Sequence, residues 1–354
     1  MRLWTLILFF ISIPSLAADF EQIDLFHQGE GGVHTYRIPA LAQTTKGTLI
    51  AVADARHDST SDLPARISLV LRRSFDGGRH WSPLRILREV KEGGVGDASL
   101  LVDRSNGRIW CMHAYGPPGV GFGNSQPGPG TLQVNAIHSD DDGATWSAPE
   151  DLTPQVKDPL WFGLFATSGS NIQTSKGRLL LPLAVKDDHG VIGSRNAYSD
   201  DHGKTWKTGA WAGTGTDESH VVELADGTIL QNMRNGHTRG IARSTDGGVT
   251  FGPMEHDPTL IDPVCNAGIT RRKNILIFTN PADSSKRRLL TVRLSYDSGK
   301  TWPVSRVIQP GPAAYSTVIP LLDGSLGALY EQGEKTSVER ITFARFTLDW
   351  IAHP

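Results

Sequence analysis

The octapeptide Ser74-Phe75-Asp76-Gly77-Gly78-Arg79-His80-Trp81 is the first of five near-copies of one phrase in this chain. Each copy joins a serine, an aspartate, a glycine and a closing aromatic residue, and the other four occupy residues 139–146, 199–206, 244–251 and 295–302. An aspartate placed in this way bonds the backbone N–H groups of its own turn, and glycine supplies a positive φ. The closing aromatic ring then packs between strands. Each octapeptide therefore predicts a strand-turn-strand unit.

The spacing of the five octapeptides indicates what these units build. Their first serines are separated by 65, 60, 45 and 51 residues, which is about the size of one four-stranded propeller blade. A β-helix or a pair of β-sandwiches is the alternative. The irregular spacing argues against a β-helix, so the repeat favours a propeller.

A second series of segments predicts the number of blades. Short apolar strands begin after turn glycines near residues 47, 107, 177, 227 and 324, and a sixth begins near Arg272, where Asn274 replaces the glycine. Six such strands and five octapeptides predict an all-β, six-bladed β-propeller. The blade without an octapeptide is expected to be closed by a strand from the opposite terminus, around Phe20 to Phe26.

Length, composition and charge agree with one β domain. The 354 residues include 38 Gly and 21 Pro without long helical periodicity, and we assign residues 18–354 to a single propeller domain. A net charge of −2 with scattered basic residues gives no electrostatic footprint for nucleic acid. Nothing after residue 20 is long enough to span a membrane. We expect a monomer without nucleic-acid or membrane partners.

The N-terminal residues have the pattern of a secretory signal peptide. Arg2 precedes an apolar run over residues 3–13, which is followed by small residues up to Ala17. The run is shorter than the roughly 20 residues that a membrane anchor needs. We therefore predict a signal peptide over residues 1–17, cleavage after Ala17, and a secreted or periplasmic protein. The two cysteines, Cys111 and Cys265, belong to different blades and are expected to be buried free thiols.

A family resemblance follows from these motifs taken together. The segment His34-Thr35-Tyr36-Arg37-Ile38-Pro39-Ala40 resembles the Tyr-Arg-Ile-Pro signature of bacterial-type exo-sialidases. The five octapeptides resemble the Asp boxes of the same family, and the likeness covers essentially the whole chain after residue 17. It implies a retaining exo-α-sialidase that hydrolyses terminal sialic acids from sialylated oligosaccharides, glycoproteins or glycolipids.

The resemblance also implies a cluster of arginines that binds the carboxylate of the sugar. Arg37 and Arg234 match the first two members, and the third is Arg287, chosen by its distance to the strand that follows, with Arg288 as the alternative. Glu331 resembles the family glutamate that pairs with the first arginine. A planar guanidinium binds a carboxylate through two charge-assisted hydrogen bonds, whereas three cations around an empty site repel one another and need a partner.

Three further residues resemble the family's catalytic groups. Tyr315 matches the nucleophile, Glu218 the glutamate that removes its proton, and Asp62 the acid/base, with Asp58 as the alternative to Asp62. A tyrosine nucleophile is the recognised exception among glycosidases. The reason is electrostatic, because the anomeric carbon of a sialic acid already carries a carboxylate and a nearly neutral phenol approaches it without charge repulsion.

Other positions are assigned by the same resemblance. Arg56 and Asp97 resemble the pair that contacts the 4-hydroxyl of the sugar. For the N-acetyl methyl group the candidates are Phe122, Trp161 or Phe162. The Gly/Pro-rich residues 116–130 are expected to form a long loop over one face of the propeller.

We predict no cofactor and no catalytic metal. The histidines lack the spacing of metal ligands, and no Gly-rich phosphate loop is present. Two other functions remain open on the sequence. One is a trans-sialidase or intramolecular trans-sialidase on the same site. The other is a non-catalytic sialoglycan-binding propeller, which would be expected to lack Tyr315, Glu218 or Asp62.

Overall fold

The computed structural model describes residues 19–353 and is almost entirely β-structure. The predicted signal peptide, residues 1–17, lies outside the described residues. In chain order the strands of the first half are β1 (Phe20–His27), β2 (Thr35–Gln43), β3 (Leu49–Arg56), β4 (Ile67–Ser74), β5 (Arg85–Arg88), β6 (Gly94–Val102), β7 (Ile109–Gly116), β8 (Gln133–Ser139), β9 (Glu150–Asp151), β10 (Gly163–Ala166), β11 (Gly169–Ser170), β12 (Ile172–Gln173) and β13 (Leu179–Lys186).

The second half is also built from strands, and the helices are short. The strands are β14 (Ile192–Ser199), β15 (Lys207–Thr208), β16 (Gly213–Thr214), β17 (Ser219–Glu223), β18 (Ile229–Met233), β19 (His237–Ser244), β20 (Glu255–Asp262), β21 (Gly268–Arg272), β22 (Ile275–Pro281), β23 (Arg288–Ser295), β24 (Val304–Pro320), β25 (Leu326–Gln332) and β26 (Arg340–Phe346). The helices are a 3-10 turn (Glu30–Gly32), α1 (Thr153–Val156) and α2 (Leu348–Ala352).

These strands form sheets in a propeller-like arrangement. Strands β2–β5, β6–β9 and β17–β20 form three antiparallel sheets in which neighbouring strands follow one another along the chain. Strands β10 and β12–β16 form another sheet. Strand β11 pairs in parallel with β6. The inner strands of the sheets contact one another: β2 contacts β6 and β24, β17 contacts β13 and β21, and β21 contacts β24. The innermost strands therefore surround a common axis.

The predicted count of six does not appear as six separate sheets. Hydrogen bonding gives five, because the remaining sheet has seven strands in the order β1-β26-β25-β24-β23-β22-β21. Strand β24 is 17 residues long. Its first part pairs with β23 and its last part, from Ala313 to Pro320, pairs with β25, so one continuous strand joins two groups of strands.

The predicted closure by the opposite terminus is confirmed. Strand β1 pairs antiparallel with β26 from Phe20 opposite Phe346 to His27 opposite Arg340, with an irregularity between Asp24 and Phe26. The first described strand thus completes the sheet that contains the last one.

The octapeptides form the predicted turns. Each begins at the last residue of β4, β8, β14, β19 or β23 and leads to the next strand of the same sheet. In the fourth copy, the Ser244 hydroxyl donates to Asp246 and accepts the Gly248 N–H at 2.9 Å, and Asp246 accepts the N–H of Thr250 at 2.9 Å. The fourth and fifth positions of all five copies have positive φ, including non-glycine residues at Asp142, His202 and Ser298.

Apolar clusters between the sheets form the core, and the closing aromatic residues of the octapeptides join them. Trp206 and Trp302 are buried within such clusters, while Trp81, Trp146 and Phe251 pack against others. Both cysteines are buried and unpaired, as predicted. Across residues 19–353, every helix is too short or too polar to span a bilayer.

Candidate active site

One cavity of about 340 Å³ collects residues from different innermost strands at one end of the propeller axis. Ile38 comes from β2, Asp97 from β6, Phe165 from β10 and Tyr315 from β24, while Glu218 directly precedes β17. The repeat places the same end of each innermost strand at this point, so residues far apart in sequence meet there.

The phenol of Tyr315 lies at the centre of a buried charged group. Its O–H donates to Oε2 of Glu218 at 2.6 Å, and Nη1 of Arg234 donates to the phenol oxygen at 3.0 Å and to Glu218 at 2.5 Å. Asp217 lies 3.5 Å from Nε of Arg234. The three groups predicted from the sequence as nucleophile, base and second arginine are therefore in direct contact.

Burial strongly perturbs this group. It raises the pKa of Glu218, opposed by the positive charge of Arg234 and supported by the neighbouring Asp217. Burial likewise raises the pKa of Tyr315 well above its usual value, with the Glu218 carboxylate acting in the same direction. The phenol of Tyr315 is therefore protonated and hydrogen-bonded to the Glu218 carboxylate. In this arrangement a base is ready to accept the phenolic proton.

A second buried pair is formed by Arg37 and Glu331. Nε and Nη2 of Arg37 donate to the two carboxylate oxygens of Glu331 at 3.1 and 3.2 Å, in bidentate geometry. The same carboxylate accepts the backbone N–H of Ile38 at 2.9 Å and of Tyr315 at 3.2 Å. Glu331 is completely buried, so it fixes the backbone of both strands while it neutralises Arg37.

The backbone at Ile38 is unusual. Its φ of 59° is the left-handed conformation, which a β-branched residue rarely adopts, and the register of β2 against β3 shifts between Arg37 and Ala40. Such a bulge re-aims the strand, and here it turns the N–H of Ile38 towards Glu331.

The structure separates the two candidates for the third arginine. The guanidinium carbon of Arg287 lies 5.5 Å from the ring centre of Tyr315, and Nη2 donates to the carbonyl of Val264 at 2.6 Å. Arg37 lies over the same ring at 5.1 Å. Arg288 instead pairs with Asp283 at 2.6 Å and is half exposed. Only Arg287 of the two is brought to Tyr315.

The two candidate acids also lie in different surroundings. Asp62 lines the cavity and pairs with Arg56 at 2.6 Å, and its side chain is 81% exposed at the mouth. Asp58 pairs with Arg66 at 2.9 Å and is not among the residues that line the cavity. The geometry therefore favours Asp62 as the carboxyl group that faces an entering ligand.

A buried carboxylate behind Asp62 was missed by the sequence analysis. Asp54 lies on β3 two residues before Arg56, contacts it at 3.5 Å, and accepts the backbone N–H of Asp97 at 3.0 Å. Burial, opposed by Arg56, raises the pKa of Asp54 to about 7. Burial together with Asp54 and Glu218 also raises the pKa of Asp97. A charged residue inside the apolar strand segment 49–55 was the signal that could have revealed Asp54.

One wall of the cavity is apolar. It consists of Leu63, Phe122, Leu132 and Phe165, and the rings of Phe122 and Phe165 meet edge to face at 5.0 Å. The other two aromatic candidates lie elsewhere, since the Trp161 ring contacts Arg195 and the Phe162 ring contacts Lys186. Of the three aromatic candidates for the N-acetyl methyl group, only Phe122 lines the cavity, and Phe165 was missed.

Within residues 19–353, no group of three or more His, Cys, Asp or Glu side chains is arranged to hold a metal ion. Arg234 lines the cavity, and three further arginines contact residues that line it: Arg37 and Arg287 lie over Tyr315, and Arg56 pairs with Asp62. Such a set suits an anionic ligand, and a carboxylate is the anion that planar guanidinium groups bind through paired hydrogen bonds.

Comparisons with known proteins give a consistent result. A family model described as a BNR repeat-like domain matches residues 95–328. The sialidase of Micromonospora viridifaciens is 39% identical over 361 residues, covering 94% of this chain and 54% of that protein. The sialidase of Bacteroides fragilis is 35% identical over 348 residues, covering 90% of this chain and 63% of that protein.

A solved structure agrees with both relatives. The Hadza microbial sialidase Hz136 superposes with a TM-score of 0.88 at 34% identity, covering 93% of this chain and 69% of that one. The present chain thus spans 54% and 63% of the length of the two relatives named above, so these relatives contain further sequence outside the matched region.

Proposed function

This chain belongs to the bacterial-type sialidase family, and from that premise we propose that it is an exo-α-sialidase that hydrolyses terminal sialic acids from glycoconjugates with retention of configuration. The observation that carries the proposal is the contact of Tyr315 with Glu218 in a cavity lined by Arg234, with Arg37 and Arg287 against the tyrosine ring. A structural tyrosine does not require a buried carboxylate at 2.6 Å and two guanidinium groups over its ring.

Three arginines would hold the carboxylate of the sugar. Arg37 is already neutralised by Glu331, and Arg234 by Glu218, whereas Arg287 contacts the carbonyl of Val264. An entering carboxylate would complete the charge balance of the cluster. This binding mode orients the anomeric carbon, which carries the carboxylate, towards the phenol oxygen of Tyr315.

The first chemical step forms a covalent intermediate. The phenol oxygen of Tyr315 bonds to the anomeric carbon, its proton passes to Glu218, and the glycosidic bond breaks. Asp62 gives its proton to the leaving oxygen, and its exposed position at the mouth suits a group that must meet the departing glycan. Because the phenol is nearly neutral as it approaches, the sugar carboxylate does not repel it.

The second step releases the sugar. A water molecule gives a proton to Asp62 and bonds to the anomeric carbon, while the Tyr315 oxygen departs and recovers its proton from Glu218. Two inversions return the original configuration, so the first product is the α-anomer. Proton NMR of the nascent product tests this directly: an initial β-anomer would reject the double displacement.

The remaining contacts would set which sialic acid is accepted. Arg56 and Asp97 are proposed to bind the 4-hydroxyl, with Asp54 holding both of them. The apolar wall of Phe122, Leu132 and Phe165 is proposed to receive the acyl methyl group. Comparing N-acetyl and N-glycolyl sialosides measures this preference, since a hydroxyl placed against that wall loses its hydrogen bonds.

The reaction outcome distinguishes the alternatives on the same site. Incubation with sialyllactoses of known linkage, followed by mass measurement, should give free sialic acid. A product lighter by one water would indicate an intramolecular trans-sialidase, and a sialylated acceptor would indicate transfer. Binding without any product would indicate a sialoglycan-binding propeller.

We infer six blades, counting the strands on each side of β24 as two, because its two parts pair with different neighbours. From the signal sequence we propose export, to the periplasm or outside the cell, and a monomeric enzyme. Fractionation of the expressing cells and light scattering of the purified protein test these two points.

A further inference from the structure

Behind the arginine cluster lies a buried ion pair that the proposed mechanism does not use. Nη1 of Arg239, on β19, donates to Oδ2 of Asp262, at the end of β20, at 3.1 Å, and both side chains are completely buried. Nε of Arg239 donates to the side-chain oxygen of Asn232 at 2.6 Å. Removing two charges so fully from water costs more than a typical ion pair returns, so stability alone is a weak explanation.

The carboxylate of Asp262 holds the segment that follows Arg234. Its Oδ2 accepts the backbone N–H groups of Asn235 at 2.9 Å and of Gly236 at 3.4 Å. Asn235 comes directly after Arg234, just beyond the end of β18. Asp262 therefore holds the backbone directly after Arg234.

The same ion pair holds the segment that contacts Arg287. Oδ1 of Asp262 accepts the N–H of Cys265 at 3.0 Å, and Nη1 of Arg239 donates to the Cys265 carbonyl at 2.8 Å. The preceding residue, Val264, has a φ of 56°, and its carbonyl accepts the hydrogen bond from Arg287. Within residues 19–353 Arg287 forms no ion pair, and its guanidinium group donates a hydrogen bond to the Val264 carbonyl instead.

We infer that Asp262 and Arg239 are positioning residues, which act through the backbone of Asn235 and Val264 to set the spacing of Arg234 and Arg287. The inference rests on the proposed function, because it assigns these two arginines to one carboxylate. A pair of guanidinium groups matches a carboxylate only at a defined separation, and two flexible segments would not keep that separation without a shared anchor.

The test uses Asp262→Asn, which keeps the size of the side chain and one acceptor oxygen but replaces the other oxygen with an NH2 donor and removes the charge that pairs with Arg239. Its matched control is Asp103→Asn, since Asp103 is equally buried, accepts hydrogen bonds from Gln173 and His202, and lies in the β6–β7 turn beside residues that line a cavity at the other end of the axis. Both variants remove one buried carboxylate charge and should lower Tm.

The readout compares two ligands. Affinity for a 2,3-dehydro analogue of sialic acid should fall roughly 10- to 100-fold in Asp262→Asn, because small displacements of binding groups have effects of this size. Affinity for the carboxylate methyl ester of the same analogue should change little, so the ratio between acid and ester falls. In Asp103→Asn the ratio should stay within twofold of the unmodified enzyme.

A crystal structure of Asp262→Asn provides a readout that does not require activity. We expect Asn235 and the Val264 carbonyl to shift and the guanidinium groups of Arg234 and Arg287 to move with them. Unchanged positions, or an unchanged acid-to-ester ratio, would overturn the inference. If the unmodified protein binds no sialoside, the proposed function fails, while this structural comparison still decides whether the ion pair positions the arginines.

A second variant guards against a folding failure of Asp262→Asn. Arg239→Lys keeps the charge but carries its donors on a single nitrogen in place of the separate Nε and Nη1 donors to Asn232 and Cys265, so it should lower the acid-to-ester ratio by a smaller factor. A ratio equal to that of the unmodified enzyme in a folded Arg239→Lys protein would also overturn the inference.

Discussion

The octapeptide turns and the active site both depend on carboxylates, but the partners of these carboxylates differ in kind. Asp246 in the fourth octapeptide bonds to Ser244, Val249 and Thr250, all within four residues of itself. Glu331 in the active site bonds to Arg37, which is 294 positions away, and Glu218 bonds to Tyr315, which is 97 positions away. The turns are locally complete, whereas the site exists only when the ring of strands is assembled.

The acidities of the two regions differ in the same way. Partial burial would raise the pKa of Asp246, but hydrogen bonds from Thr250 and Ser244 outweigh it and lower that pKa to about 2. In the active site, burial prevails and raises the pKa of Asp54 to about 7 and the pKa of Glu218 above its usual value. The turns thus favour charged carboxylates, whereas burial in the candidate site acts against the charged forms of Asp54 and Glu218.

The largest expected effect is a loss of turnover when the phenol of Tyr315 is removed from the candidate active site. Tyr315→Phe should bind a sialoside but lose turnover by roughly 10³-fold or more, since nucleophile and proton transfer are removed together. Steady-state kinetics with a chromogenic sialoside measures this. Tyr330→Phe is the matched control, because it removes another buried phenol, bonded to Gln22, from β25. Near-normal turnover in Tyr315→Phe would reject its assignment as nucleophile.

The arginines should show a smaller but selective effect. Lysine keeps the charge but loses the bidentate fork, so Arg234→Lys and Arg287→Lys should each lose about 2 kcal/mol of transition-state stabilisation, roughly 30-fold in kcat/KM. Arg288→Lys should keep normal kinetics, because Arg288 pairs with Asp283 away from Tyr315. An Arg288→Lys enzyme weaker than Arg287→Lys would reverse the assignment of the third arginine.

The turn carboxylates should affect stability without affecting catalysis. Asp246→Ala removes several hydrogen bonds and is expected to lower the free energy of unfolding by about 1–2 kcal/mol. Urea unfolding gives this value, and kcat/KM at 25 °C should match that of the unmodified enzyme. A loss of activity in folded Asp246→Ala protein would show that the turns and the site are not independent.

The smallest expected effect is a change in the pH dependence of stability, with opposite signs in the two regions. Because the pKa of Asp54 is raised from 3.8 to about 7, the folded state binds its proton more strongly, and stability falls as pH rises through that window. Asp54→Asn should therefore weaken this fall when Tm is followed across it. An unchanged slope would contradict the buried, protonated state of Asp54.

Asp246 supplies the opposite case in the same measurement. Its pKa is lowered from 3.8 to about 2, so its contribution is present above that window and is lost as pH falls through it. Asp246→Asn should thus flatten the acid side of the Tm profile and leave the region between pH 4 and 7 unchanged.

The sequence predicted those parts of the fold that depend on interactions between residues near one another in the chain. The octapeptides predicted turns that the structure contains, and the terminal strand Phe20–His27 pairs with β26 and so completes the group β24–β26, whose own turns contain no octapeptide. The six predicted blades do not appear as six sheets, because β24 runs on without a break and joins two neighbouring groups of strands into one sheet. No pattern in the 17 residues of β24 predicts that the strand pairs with β23 on one side and with β25 on the other.

The candidate site was predicted through motifs rather than through contacts. Tyr315, Glu218, Arg37 and Arg234 were identified from the segments that carry them. Asp54 and Asp262 were not, since neither belongs to a recognised segment and both act by accepting hydrogen bonds from distant backbone. Their roles follow only from which backbone groups they meet.

The sequence by itself determined the β-propeller class and the turn chemistry, because each octapeptide satisfies its own hydrogen bonds within eight residues. Only the tertiary structure decided that Arg287 rather than Arg288 faces Tyr315, that Glu331 joins β2 to β24, and that a buried carboxylate supports Asp97. These contacts join residues that are not neighbours in the sequence, and their energies arise from burial, which no local pattern of residues specifies.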